Sequence, residues 1–147
     1  MCIGAISNHL CFSGNVNNNN LEINGSSGTL QSPSRESSYP PDLSCDWLIT
    51  VPEGKIVKLS FDILDLYLSA WGKCTEDYVE VLDGRYSSSL SKGRFCDSTP
   101  GDINSSGRYM RVRFKSGSDS TSYSFGGFKA SFIAVHGHGR LEVFSYI

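Results

Sequence analysis

Residues 46–61 read D-W-L-I-T-V-P-E-G-K-I-V-K-L-S-F. Apolar side chains take every second position on both sides of the P-E-G turn: Trp47, Ile49 and Val51 before it, Val57, Leu59 and Phe61 after it. A period of two marks a strand with one buried face, and two such runs around a short turn predict a β-hairpin. The alternation returns downstream in Y-V-E-V-L (78–82), in Y-M-R-V-R-F (109–114) with Met110, Val112 and Phe114 inward, and in F-K-A-S-F-I-A (128–134) with Phe128, Ala130 and Phe132 inward. Turn formers separate these runs: D-G at 83–84, T-P-G-D at 99–102 and F-G-G-F at 125–128. Several short strands without helical period or β–α alternation predict an all-β fold, a two-sheet antiparallel β-sandwich. The pattern alone leaves a closed barrel open.

Upstream the pattern fades. Residues 13–38 are rich in Ser, Asn and Gly, with N-V-N-N-N-N at 15–20, and read as loop holding one edge strand around Gly28–Gln31. Their expected share of the core is small.

Cys11, Cys45, Cys74 and Cys96 divide the patterned region, and with the β pattern they point to an extracellular domain stapled by two disulfides. Four cysteines allow three pairings. Sequential bridges would close modest loops, each contributing about 3 to 4 kcal/mol in the chain-entropy model. Cys2 is left over, as a free thiol or a partner for another chain. Zinc is disfavoured, because no C-x-x-C pair exists and His9, His136 and His138 lie outside the cysteine framework.

Composition narrows the function. A chain of 147 residues, 39% hydrophobic, supports one domain. A net charge of -2 leaves no basic excess to neutralise a phosphate backbone, which argues against nucleic acid. No apolar run approaches the roughly 20 residues of a membrane helix, so no membrane insertion of this segment is expected. Serines abound without a G-x-S-x-G elbow, and the histidines sit only at the two ends, so catalysis is not expected. The opening M-C-I-G-A-I-S-N-H-L lacks the basic start and long apolar run of a secretory signal. Disulfides without a signal lead to the expectation of a piece of a larger secreted or membrane-anchored protein. The expected division is a leader at 1–10, the domain at 11–135 and a tail or linker at 136–147.

Ordered along the chain, Cys11, G-T-L-Q-S-P (28–33), Y-P (39–40), C-D-W-L-I (45–49), F-D-I-L-D-L (61–66), C-T-E-D-Y-V-E-V-L-D-G (74–84), F-C (95–96), V-R-F-K-S (112–116) and G-F-K-A-S-F (127–132) resemble the CUB domain. That extracellular module occurs in complement and tolloid-type proteases, cubilin, neuropilins and spermadhesins. The resemblance implies a jelly-roll-like sandwich with bridges Cys11–Cys45 and Cys74–Cys96. It further implies a non-catalytic module that binds an extracellular protein ligand through loops at one end. Other roles within the family are a spermadhesin-like glycan-binding or surface-coating protein, for which Tyr67, Tyr86 and Tyr123 are candidate contacts, and an accessory domain of a secreted protease. S-R-E-S-S-Y-P-P (34–41) is longer than the family's usual run.

The resemblance also implies one calcium ion (Ca2+). Asp77, three residues after the third cysteine, stands at a family ligand position, and Asp119 in S-G-S-D-S would supply the later carboxylate. The family's Glu, seven residues before that cysteine, is here Tyr67, whose phenol is neutral at ordinary pH. Asp65, two residues before Tyr67 on the same strand face, is the candidate to compensate. Glu76 stands where the family often has Tyr, and Asp62 and Glu80 read as surface charges, so none of the three is assigned to the site. Asn24-Gly25-Ser26 and Asn104-Ser105-Ser106 are glycosylation sequons in turn-like contexts. Trp47 is expected in the core, and Trp71, in S-A-W-G-K, exposed at the loop end.

Overall fold

The alternating runs form strands that stack as two sheets. The computed structural model describes residues 11–13, 16–17, 20–33, 39–68, 72, 74–118 and 126–137. In chain order the strands are β1 (Phe12–Ser13), β2 (Val16–Asn17), β3 (Asn20–Asn24), β4 (Ser27–Gln31), β5 (Ser44–Thr50), β6 (Lys55–Asp65), β7 (Tyr78–Asp83), β8 (Leu90–Phe95), β9 (Ile103–Asn104), β10 (Tyr109–Lys115) and β11 (Gly127–His136). One sheet runs β2-β1-β4-β11-β6-β9, the other β3-β5-β10-β7-β8. This is a two-sheet sandwich rather than a closed barrel. Its core is made of the residues the period of two selects: Trp47, Ile49, Val51, Val57, Leu59, Met110, Val112, Phe114, Phe128, Ala130 and Phe132 are all buried. Each large apolar side chain among them stabilises the fold by about 1.5 to 3 kcal/mol.

The runs at 46–61 do not pair as a hairpin. β5 lies between β3 and β10, whereas β6 lies between β11 and β9 in the facing sheet. The turn, closed by the Lys55 N–H on the Pro52 carbonyl at 3.1 Å, is therefore an arch across the sandwich. Alternation reports only which side of a strand is buried. Two strands facing each other across a core carry the same pattern as two strands side by side.

Residues 20–31 are also more ordered than a loop. In β3, Leu21 is buried and Ile23 packs against the core, while Glu22 and Asn24 face solvent. β3 pairs with β5 in parallel, Leu21 opposite Trp47, the one departure from antiparallel pairing among the described strands. A parallel neighbour needs a long crossover, and the segment through β4 in the other sheet supplies it. β4 is no edge strand, being flanked by β11 and by the short β1. Gly28 sits across from Phe132, and a Cβ there would stand 2.7 Å from its ring, so only glycine lets the ring lie over β4.

A bulge sets the end of β6. Phe61 pairs with Ala130 and Ile63 with Lys129, leaving Asp62 as the extra residue. Beyond it the buried phase passes to Leu64 and Leu66. β11, the last of the described strands, lies between β4 and β6, and it continues through His136, one residue past the expected domain end.

Both disulfides join the cysteines the family pattern implies. Cys11–Cys45 fastens the start of β1 to β5 in the opposite sheet, with Cα atoms 5.7 Å apart. Cys74–Cys96, at 5.6 Å, joins the loop before β7 to the residue after β8.

Candidate functional site

Aromatic rings lead from the core to one end of the sandwich. Trp47 meets Phe128 edge-on at 5.6 Å, Phe128 lies 5.4 Å from Phe114, and Phe114 meets Tyr39 edge-on at 5.4 Å. The ring of Tyr39 thus belongs to the core while its hydroxyl emerges among loops. There it donates to Asp77 Oδ2 at 2.6 Å and accepts the Tyr67 N–H at 2.7 Å. Asp77 Oδ1 accepts the Gly117 N–H at 2.9 Å. Asp77 is only 1% exposed, and a buried carboxylate needs such donors to offset its lost hydration. Burial, the hydrogen bond to Asp77 and the negative charges of Asp77 and Asp65 hold the Tyr39 phenol far above the usual tyrosine range, so it stays a donor.

Neighbouring loops are fastened to the same centre. Ser116 Oγ accepts the Leu43 N–H at 2.9 Å and donates to the Pro40 carbonyl at 2.8 Å. The Asp42 N–H donates to the Gly117 carbonyl at 3.3 Å. Cys96 serves two loops, bonded through sulfur to Cys74 and accepting the Leu66 N–H on its carbonyl at 2.9 Å. On the far side, Ser32 Oγ accepts the Phe128 N–H at 3.0 Å, and Asp65 Oδ2 accepts the Gly126 N–H at 2.9 Å.

Of the sequence-selected ligands, Asp77 is bound to the Tyr39 hydroxyl, whereas Asp65 accepts the Gly126 N–H at the same end of the sandwich. Asp65 is exposed and Asp77 buried. Asp119 lies outside the described residues, as do Trp71, Tyr123, His138 and Cys2. Glu76, not expected at the site, stands beside Asp77: a Cβ on Gly117 would lie 3.1 Å from both Glu76 Oε1 and Asp77 Oδ1. Glycine at 117 is what lets the two acidic side chains approach the backbone. Tyr39, Ser116 and Gly117 are site residues beyond those expected from the sequence, although Y-P and V-R-F-K-S belong to the family pattern. Their roles depend on long-range pairing that no local pattern reports.

The fit to a calcium ion is partial. Calcium takes six to eight oxygen ligands, and among the described residues no three Asp, Glu, His or Cys side chains gather as a ligand set. Tyr67 contributes its amide to Tyr39 and brings no carboxylate.

The remaining candidates lie elsewhere. Asp62 is the exposed bulge residue, and Glu80 pairs with Arg94 at 3.7 Å on the outer sheet face. Asn24 and Asn104 are both exposed, toward the end of the sandwich remote from Asp77. Tyr86 is there too, beyond the far end of β7, so Tyr67 and Tyr86 share no aromatic groove. Among the described residues no helix is long and apolar enough to cross a membrane.

Comparison with known proteins agrees with this architecture. The family model described as the CUB domain matches residues 18–132. The bone morphogenetic protein 1 homolog of Strongylocentrotus purpuratus is 42% identical over 111 residues, covering 75% of this chain and 17% of that protein. Among solved structures, the full extracellular region of zebrafish Adgrg6 aligns with TM-score 0.65 and 32% identity over 80% of this chain and 15% of the other. The CUB2 domain of MASP-1 bound to Ca2+ aligns with TM-score 0.64 and 26% identity over 76% of this chain and 96% of the other. The chain spans about a sixth of the sea-urchin relative it matches.

Proposed function

Because the chain belongs to the CUB domain family, we propose that it is an extracellular, non-catalytic interaction module that receives a protein partner at the Asp77 end of the sandwich. The observation that carries this reading is the Tyr39–Asp77–Gly117 junction, which holds several loops in place while Asp65 and Glu76 stay exposed beside it. Rigid loops with outward carboxylates suit a Lys or Arg side chain of a partner, since little ordering entropy remains to be lost on binding. The module is one part, residues 11–135, of a larger secreted or membrane-anchored protein, a reading supported by the small share of its relatives that it spans. Asp77, Asp65 and Asp119 are the proposed ligands of one calcium ion. Support comes from Asp77 and Asp65 lying at the same end of the sandwich and from the calcium-bound relative of the same fold; Tyr67 leaves the set a carboxylate short of the family's. Asn24 and Asn104 are the proposed glycan acceptors, both exposed and remote from Asp77.

Amide-shift titration with the peptide acetyl-Leu-Lys-Leu-amide, in calcium and in chelator, tests the partner site. Saturable shifts at Asp65, Glu76, Gly117 and Gly126 are expected, lost in the Asp65→Asn/Glu76→Gln double variant. Shifts confined to a sheet face, or unchanged in that variant, would overturn the assignment.

A further inference from the structure

The opposite end of the sandwich carries a second cluster of different chemistry. β7 ends at Asp83, and Gly84, at φ 147°, turns the chain so that Arg85 and Tyr86 lie exposed. Ser89 closes this turn: its N–H donates to the Tyr86 carbonyl at 3.0 Å and its Oγ accepts the Tyr86 N–H at 3.0 Å. The Arg85 carbonyl accepts Nε–H of Arg111 at 3.1 Å and a second N–H from the same guanidinium, which is itself bound to Asp46 at 2.6 Å. The backbone of Arg85 is thereby fixed to the sheet. Its guanidinium lies 4.8 Å from the Tyr109 ring centre and 5.6 Å from that of Tyr86.

Every other described arginine pairs with a carboxylate: Arg94 with Glu80, Arg108 with Glu53, Arg111 and Arg113 with Asp46. Arg85 is the exception, its head group held by rings alone among the described residues. Ring faces attract the cation and orient it but leave the N–H fork unused. Apolar surface adjoins it, with Tyr86 66% and Leu90 74% exposed. Arg85, Tyr86, Ser89, Ser106 and Tyr109 line a shared groove with Asp83, whose Oδ1 is engaged by the Ser106 N–H at 2.8 Å.

We propose that this end is a second docking site, which takes an acidic protein segment with one carboxylate on the Arg85 guanidinium and a neighbouring apolar side chain over Tyr86 and Leu90. The charge pattern decides between a protein and a sulfated polysaccharide. A polyanion gains from a run of unpaired cations, whereas Arg108 and Arg111 are already neutralised and one guanidinium stands open. A single fork between tyrosines, with apolar surface beside it, matches a Glu or Asp flanked by an apolar residue, and Arg with Tyr is the composition that dominates protein docking energetics.

The test titrates the isotope-labelled chain with acetyl-Leu-Glu-Leu-amide, with acetyl-Leu-Gln-Leu-amide as neutral control and a heparin-derived disaccharide as the sulfated arm. The acidic peptide is expected to shift Arg85 Nε–H and the amides of Ser89, Ser106 and Tyr109 saturably. Its affinity should fall about tenfold in Arg85→Lys, which keeps the charge and loses the fork, and fall in Tyr86→Ala, but hold in Asp62→Asn, at the exposed bulge of β6. Equal binding of the glutamine peptide to the native chain, undiminished affinity in Arg85→Lys, or saturation by the disaccharide alone would each overturn the proposal.

Discussion

The Tyr39 hydroxyl stands 2.6 Å from the Asp77 carboxylate and 2.7 Å from the Tyr67 nitrogen, donating to the first and accepting from the second. One oxygen thus joins the segment that holds the Y-P pair, the strand exit past β6 and the loop before β7. Its ring is anchored on Phe114, so the polar junction and the core are mechanically continuous.

Removing that oxygen is therefore expected to cost more than a surface hydroxyl. Tyr39→Phe leaves Asp77 Oδ2 and the Tyr67 N–H without this partner, a loss of about 1.5 to 3 kcal/mol for a hydrogen bond to a charged group. Urea unfolding measures it. A midpoint equal to that of the native chain would mean the junction adds nothing to stability.

Alkali should unfold the protein partly through the same residue. The folded-state pKa of Tyr39 is raised above the unfolded value near 10. Its contribution is therefore fully present below about pH 10 and lost as pH rises from there toward the folded value, because the unfolded chain releases the proton first. Stability measured from pH 9 upward should fall more steeply in the native chain than in Tyr39→Phe. Parallel slopes would contradict the shift.

Trp47 gives a core prediction with an internal control. It is fully buried, and Trp47→Ala should cost about 3 to 5 kcal/mol. Its Nε1–H has no hydrogen-bond partner among the described residues. Trp47→Phe should therefore cost clearly less than Trp47→Ala, since no polar partner is orphaned and a ring remains against Phe128. Equal losses in the two variants, by thermal unfolding, would show that the indole nitrogen matters.

Calcium dependence turns on position 67. Tyr67→Glu adds the carboxylate absent beside Asp77 and Asp65, and calcium at 100 times its dissociation constant should then raise stability by about 2.7 kcal/mol. The native chain should need more calcium for the same gain, and Asp77→Ala should abolish it. A Tyr67→Glu variant whose thermal unfolding ignores calcium would remove the ion from this end.

What the sequence disclosed follows from what a period of two encodes. It named the inward faces of β5, β6, β10 and β11, and with them nearly all of the aromatic core, because burial acts residue by residue. It did not disclose strand partnership: β5 and β6 share a turn but not a sheet, and β3 hid in an Asn-rich run because only Leu21 and Ile23 carry its inward side. The family pattern located Asp77 and both disulfides. Tyr39, Gly117 and Glu76 became site residues only through contacts spanning tens of positions, and Arg85 stood out only once every neighbouring arginine was seen to be paired.

The place of β11 has a consequence for biosynthesis. The last of the described strands fills the middle of its sheet, between β4 and β6, so those two strands emerge from the ribosome with their facing edges unmatched until residues 127–136 follow. Open edges of that kind recruit other chains, and their closure waits on contacts distant in sequence. A chain ending at residue 126 should form oligomers and expose its hydrophobic interior to dye, whereas the same chain supplied with a peptide of residues 127–136 should recover a monomer.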